Sequence, residues 1–362
     1  MQKLKSGYTT GTHATAVLVA ALYELLKQKN VNRLKVTLPK NIVAYIDVFQ
    51  ESFAHFSTIK GDNDDIDVTK GAKISCIISK DAPKSLKEQM PSLLSIGSSS
   101  LHVWAGKGVG VVSKKGLKIM PNYPAINPIP LSMMHENSLN VFGEEGCTLH
   151  AVFSVENGEE IAKETANAKV GVLGGISILG TRGIVKPVSS SAYIDSIETE
   201  IDVAAALSEE LIVFTLGNTA VDFAKELYDA TSIVEIGNFI YDASAKLKKH
   251  RFKKMVFITS VAKMTKVAQG FKNTHNRFGT IDFDVVREWI EGELHFTLRD
   301  EEYLTLKAVL QTLPNDYHEP FVRILTKKST LVFQKYFKEL GIYTKKIELI
   351  TLPNKIKEEL QW

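Results

Sequence analysis

The stretch Leu211-Ile212-Val213-Phe214-Thr215-Leu216-Gly217-Asn218 decides how the second half of the chain folds. A short run of apolar and β-branched residues ends at a glycine and an asparagine, and a helical pattern over 220–227 follows, so the segment predicts a buried strand, a tight turn and a helix. The unit recurs. Residues 233–236 lead into Gly237-Asn238 and a helix to His250, and residues 255–259 lead into Ser260 and a helix to Gln269. Strands alternating with helices imply right-handed crossovers and a parallel sheet covered on both faces. Residues 191–362 are therefore predicted to form an α/β Rossmann-like domain, with further helices over 284–292, 301–310 and 320–340 and a returning strand over 346–352.

Towards the N-terminus the rhythm changes. Thr10 or Thr12 can cap a helix over 14–29, and strands are predicted over 33–38, 52–60, 72–79, 101–104, 148–155 and 169–173. Ile42, Ala44, Ile46 and Val48 add a strand-like alternation, and a short helix over 159–165 follows Gly158. Residues 1–190 are thus predicted to be an α+β domain with a mixed sheet, leaving through a connection rich in serine around Pro187.

The chain has 362 residues, 44% of them hydrophobic, enough for two buried cores. Its net charge is only +3 and its basic residues are scattered, which argues against a nucleic-acid partner and leaves room for an anionic metabolite. Cys76 and Cys147 have no metal-ligand spacing and are too few for a disulfide framework, so a reducing cytoplasm is expected. Lys3 and Lys5 before the apolar run 16–22 superficially resemble a secretory signal. The polar stretch between them, the charged residues Glu24 and Lys27 and the shortness of the run read instead as the buried face of a first helix, and no membrane span is expected.

Several loops carry candidate chemistry. Gly7-Tyr8-Thr9-Thr10-Gly11-Thr12 precedes the first helix, where free backbone N–H groups and the positive dipole end can receive a carboxylate; a capped helix with a tight turn is the competing reading. Gly61-Asp62-Asn63-Asp64-Asp65-Ile66-Asp67 gathers carboxylates but lacks the calcium-loop spacing, leaving a solvated loop or a proton-handling one. Gly106-Lys107-Gly108-Val109-Gly110 has Val111 where a dinucleotide fingerprint needs glycine. The prolines of Ala125-Ile126-Asn127-Pro128-Ile129-Pro130 stiffen a loop that lines or braces a pocket. Gly174-Gly175-Ile176-Ser177-Ile178-Leu179-Gly180-Thr181-Arg182-Gly183 lets backbone approach a ligand closely, yet Thr181-Arg182 replaces the Lys-Ser or Lys-Thr of a phosphate loop. Leu179 likewise breaks a nucleophile elbow. Gly217-Asn218 and Gly237-Asn238 fall at the carboxyl ends of parallel strands, where ligands bind in open α/β sheets, although ordinary turns are as good a reading of either pair alone. Thr274-His275 offers an acid or base, or a structural histidine.

As an ordered set, residues 7–12, 61–71, 106–130, 173–187, Gly217-Asn218, Asn238-Phe239-Ile240 and Thr274-His275 resemble the cobalt-precorrin-5B (C1)-methyltransferase (CbiD) family. Two stretches carry most of the likeness, Gly-Tyr-Thr-Thr-Gly-Thr at 7–12 and Gly-Gly-Ile-Ser-Ile-Leu-Gly-Thr at 174–181. The resemblance implies transfer of a methyl group from S-adenosylmethionine to C1 of cobalt-precorrin-5B, with cobalt present only as part of an anionic tetrapyrrole substrate. It assigns no resident metal and leaves homo-oligomerisation open. On this resemblance Gly217, Asn218, Gly237 and Asn238 are expected to hold S-adenosylmethionine. Thr9, Thr10, Gly11, Thr12, Asn127, Gly174, Gly175, Ser177, Gly180 and Thr181 are expected to hold the tetrapyrrole, the reverse allocation staying open, and Asp62, Asp65 and His275 to handle protons. A nucleotide-dependent phosphotransferase and a noncatalytic tetrapyrrole carrier are the alternatives. Two departures stand out: His13 replaces the cysteine common in the family, and of a Gly-His-x-Gly-Lys pattern near 260 only Lys263 remains.

Overall fold

A computed structural model describes residues 5–65, 67–185, 190–299, 302–344, 346–353 and 355–361. The chain divides into two compact units, Met1–Ser191 and Ala192–Trp362. The predicted connection around Pro187, the Ile66 position of the acidic loop, Lys3 and the start of the helix expected from Glu301 lie outside the described residues.

The first unit is built round the helix Thr10–Lys27. Ala14, Ala16, Ala20 and Ala21 are small enough for neighbours to approach closely, and with Val17, Leu18 and Leu22 they are buried on almost every side. This helix packs against a second helix, Pro128–Ser138, against the antiparallel hairpin of Arg33–Leu38 with Ile42–Asp47, and against a six-stranded sheet. The sheet runs in the order Phe49–Ser52, His55–Ile59, Lys73–Ser79, Thr148–Val155, Ser99–Ala105, Ser92–Ile96. Only the pairing of Thr148–Val155 with Ser99–Ala105 is parallel, so the sheet is mixed, as expected. Leu149, Ala151, Phe153 and Val155 alternate inward and join Phe56, Ile74 and Cys76 under the first helix.

Several first-unit expectations need correction. The helix expected over 14–29 starts four residues earlier, because Thr9 rather than Thr10 or Thr12 caps it, its hydroxyl accepting from the Thr12 N–H at 3.3 Å. The proline-stiffened loop at 128–130 is the first turn of a helix, where Pro128 gives up an N–H that would have had no partner. The strand expected over 169–173 shrinks to Val172–Leu173.

The second unit contains a five-stranded sheet in the order Ile233–Glu235, Leu211–Leu216, Lys254–Ser260, Lys346–Leu352, Ile356–Gln361. The first three pairings are parallel and the last is antiparallel. Helix Asn218–Leu227 covers one face, with Ala220 and Ala224 against Val213, Val256 and Ile350. Helices Ser190–Leu207, Ile240–Lys246, Val261–Ala268 and Asn315–Leu340 contribute to the core on the other. The chain goes from Leu211–Leu216 to a neighbour on one side and then returns past it to Lys254–Ser260 on the other. Connections thus leave the carboxyl ends of Leu211–Leu216 and Lys254–Ser260 in opposite directions, the switch point at which open α/β sheets have their ligand crevice. Among the described residues no helix is long and apolar enough to cross a membrane.

Candidate functional site

In the first unit three of the predicted segments meet. Gly7 and Tyr8 pair antiparallel with Val185 and Ile184, and Ile126 bridges Ile178. The Thr10 hydroxyl accepts from the Leu179 N–H at 2.9 Å, and the Thr12 hydroxyl donates to the Gly183 carbonyl at 2.7 Å. A side chain at Gly180 would sit 2.2 Å from the Thr9 hydroxyl, so the residues 178–183 lie as a strap directly on the start of the first helix. At the helix start the Gly11 N–H donates to the Leu179 carbonyl at 3.0 Å and the Thr12 N–H to Thr9, so these two donors are engaged within the protein, as the capped-helix reading has it. Thr9, Thr10, Gly11 and Thr12 are buried behind the strap, whereas Gly174 and Thr181 are exposed and Ser177 and Asn127 are half-buried. Gly175 is buried against Gly108, which gives the glycines at 108 and 175 a packing reason.

Beside this turn lies a buried polar cluster centred on Lys60, a residue that sequence reasoning did not single out. Lys60, only 1% exposed, pairs with Asp67, and Asn63 donates to the same carboxylate at 3.1 Å. Burial pushes the Asp67 carboxyl up, but the hydrogen bonds from Lys60 and Thr69 and the Lys60 charge outweigh it and hold it below the usual range. His13 is buried on the first helix, and burial together with the Lys60 charge lowers its pKa to about 4. Its Nδ1 lies 3.2 Å from the Thr58 hydroxyl, whose proton goes to the Asp47 carbonyl at 2.8 Å. Nδ1 must then be the donor, which leaves Nε2 as a buried lone pair without a partner among the described residues. The predicted proton handlers of this loop are differently placed: Asp62 is exposed and 3.8 Å from Lys70, and Asp65 is half-buried. No local pattern marks Lys60, since a lysine closing a strand is ordinary until tertiary packing buries it.

In the second unit the two Gly-Asn pairs stand at the carboxyl ends of adjacent strands. Gly217, with φ of +99°, caps helix Asn218–Leu227 in a conformation that disfavours any side chain, and Asn218 is exposed at the first helical position. Gly237 is explained by packing, because a side chain there would lie 2.8 Å from the Tyr193 ring. Asn238 accepts from the Thr274 hydroxyl at 2.8 Å and so ties the loop bearing His275 to this edge. His275 is exposed, and its Nδ1 accepts from the Arg277 N–H at 3.2 Å. Lys266, 6% exposed, braces the same loop by donating to the Thr274 and Gly279 carbonyls and the Asn276 side chain at 2.8–3.0 Å. Its ammonium is lowered by burial, as is that of half-buried Lys263 in the first turn after Ser260, where the Glu235 charge works against the shift.

These features define an α/β protein of two units, one presenting a strap over a helix start and the other an open edge of parallel strands. The CbiD family model matches residues 1–187. A cobalt-precorrin-5B C(1)-methyltransferase from Hahella chejuensis is 35% identical over 301 residues, covering 79% of this chain and 77% of that protein. The protein of the same name from Methanococcus maripaludis is 35% identical over 344 residues, 92% of this chain and 89% of its own length. The crystal structure of a cobalamin biosynthesis protein (cbiD) from Archaeoglobus fulgidus shares 26% identity at a TM-score of 0.38, covering 70% of this chain and 76% of that one. The chain belongs to the CbiD family.

Proposed function

We propose that this protein transfers the methyl group of S-adenosylmethionine to C1 of cobalt-precorrin-5B, forming cobalt-precorrin-6A in anaerobic cobalamin synthesis. One observation carries the reading: a relative bearing the name of that activity aligns over 92% of the chain, so the likeness takes in both units. The second unit is read as Rossmann-like, supported by four parallel strands whose order reverses at the crevice beside Gly217. The same edge fits the methyl donor, because Gly217 leaves bare backbone there and Asn218 is exposed next to it. When bound, S-adenosylmethionine supplies an electrophilic methyl group, so the reaction needs no covalent nucleophile from the protein.

What remains for the chain is to orient the reactants and manage protons. Gly217 and Asn218 contact the donor, while Gly237 and Asn238 shape the edge by holding Tyr193 and the 274–279 loop. The exposed parts of the strap, Gly174 and Thr181, with Ser177 and Asn127, contact the anionic tetrapyrrole. Thr9, Thr10, Gly11, Thr12, Gly175 and Gly180 fix the strap's shape. Asp62, Asp65 and His275 are the proposed proton carriers, His275 only through Nε2 unless its turn opens. We take the two units as the functional domains, the working compartment as the cytoplasm, and small molecules rather than nucleic acid as the partners. The low charge and the free cysteines Cys76 and Cys147 support this.

Anaerobic incubation with cobalt-precorrin-5B and S-adenosylmethionine tests the reading. The tetrapyrrole should gain the mass of one methyl group. A gain of one phosphoryl group with ATP converted to ADP would favour a phosphotransferase, and tetrapyrrole binding without any transfer would favour a carrier.

A further inference from the structure

Two side chains of opposite charge flank Gly217 at the crevice. Glu235 ends the neighbouring strand Ile233–Glu235, is exposed, and lies eighteen positions after Gly217. Lys263 lies in the first turn of helix Val261–Ala268, and its Nζ stands 3.4 Å from where a side chain on Gly217 would begin. The Glu235 charge acts on the Lys263 ammonium, yet among the described residues neither side chain has a hydrogen bond or ion pair of its own. A half-buried ammonium without a counter-ion is costly to keep, and a carboxylate in view that does not close on it leaves a gap between opposite charges. The floor of that gap is the bare backbone of Gly217.

A ligand that fills the gap needs an anionic end for Lys263 and hydroxyl or cationic donors for Glu235. In Rossmann dinucleotide-binding folds an acidic residue about 20 positions beyond the first turn accepts from a ribose hydroxyl, because that strand end faces the sugar of a ligand seated at the switch point, and Glu235 stands at the corresponding strand end here. Resting on the donor reading above, we infer that Glu235 and Lys263 hold the methyl donor by its two ends across Gly217, the Glu235 carboxylate accepting from the ribose hydroxyls and the Lys263 ammonium holding the α-carboxylate. Tyr193 and Phe239, with ring centroids 5.5 Å apart beside Gly237, then form an aromatic wall on the Glu235 side for the base.

Calorimetry with three probes separates the parts: S-adenosylhomocysteine, its 2′-deoxyribose analogue, and 5′-methylthioadenosine, which has the ribose but no carboxylate. Lys263→Met should weaken S-adenosylhomocysteine about ten-fold or more, the loss expected for a charge-assisted hydrogen bond, and leave methylthioadenosine unchanged. Glu235→Gln should weaken both and remove the wild-type preference for ribose over deoxyribose. Equal weakening of both ribose ligands by Lys263→Met, or a preference that survives Glu235→Gln, overturns the assignment while leaving the donor reading intact. Failure of the unaltered protein to bind S-adenosylhomocysteine at all overturns the donor reading, and this assignment with it.

Discussion

Acidification from pH 7 to pH 4 should cost the first unit stability that a His13→Cys variant does not lose. The His13 imidazole is 4% exposed, and burial together with the Lys60 charge sets its pKa at about 4 against an ordinary 6.5. The unfolded chain therefore takes up a proton first as pH falls. The contribution of His13 is fully present above about pH 6.5, is lost progressively between there and about pH 4, and is constant below. A gap of that width corresponds to roughly 3 kcal/mol, a large part of the stability of a typical domain. Cysteine stays neutral across the same range, and subtracting the variant removes the carboxylates that titrate alongside. Native-state hydrogen exchange of amides in helix Thr10–Lys27, measured against urea at closely spaced pH values, reads the stability of this unit alone. The stability difference, wild type minus variant, should fall by about 3 kcal/mol on acidification. A difference that stays flat, or that grows as pH falls, would refute the reasoning that His13 is held neutral by its surroundings.

Lys60→Met should cost about 3 kcal/mol, because it leaves Asp67 partly buried without its cation, and it should also raise the His13 pKa; an unchanged urea midpoint would show that the pair is not a structural anchor. Lys266→Met removes a donor from three oxygens, so amides over 274–279 should exchange at least about ten-fold faster while helix Thr10–Lys27 is unaffected. Uniform protection after that change would mean the loop is held by other contacts. His275→Gln should slow single-turnover methylation with both ligands saturating, and a normal rate would leave His275 only its turn-capping role.

The second unit was readable because its first three strands are short apolar runs leading into Gly-Asn or Ser, and that local signal coincides with the parallel pairing of Leu211–Leu216 with its two neighbours. Ile356–Gln361 was missed. Lys357, Glu358 and Glu359 make it look like a polar tail, whereas an edge strand paired antiparallel on one side tolerates such charges. Helix Ser190–Leu207 was hidden behind its serine-rich start, although Ile197, Ile201 and Ala204 repeat at helical spacing and are buried. In the first unit the glycine and threonine motifs marked segments that meet in the structure, but not which segment meets which. That the Thr10 hydroxyl meets Leu179, 169 residues away, follows from tertiary closure and leaves no trace in either motif alone. The Lys60–Asp67 pair was invisible for the same reason, with Asp62 and Asp65 drawing notice because acidic loops look reactive before burial is known.

The central claim is tested most directly by where the methyl group goes. With anaerobic cobalt-precorrin-5B and S-adenosylmethionine carrying carbon-13 in its methyl group, carbon NMR of the product should show a single labelled methyl bonded to ring carbon C1. A label on any other carbon, or an unlabelled tetrapyrrole after the donor has been offered in excess, would contradict the account.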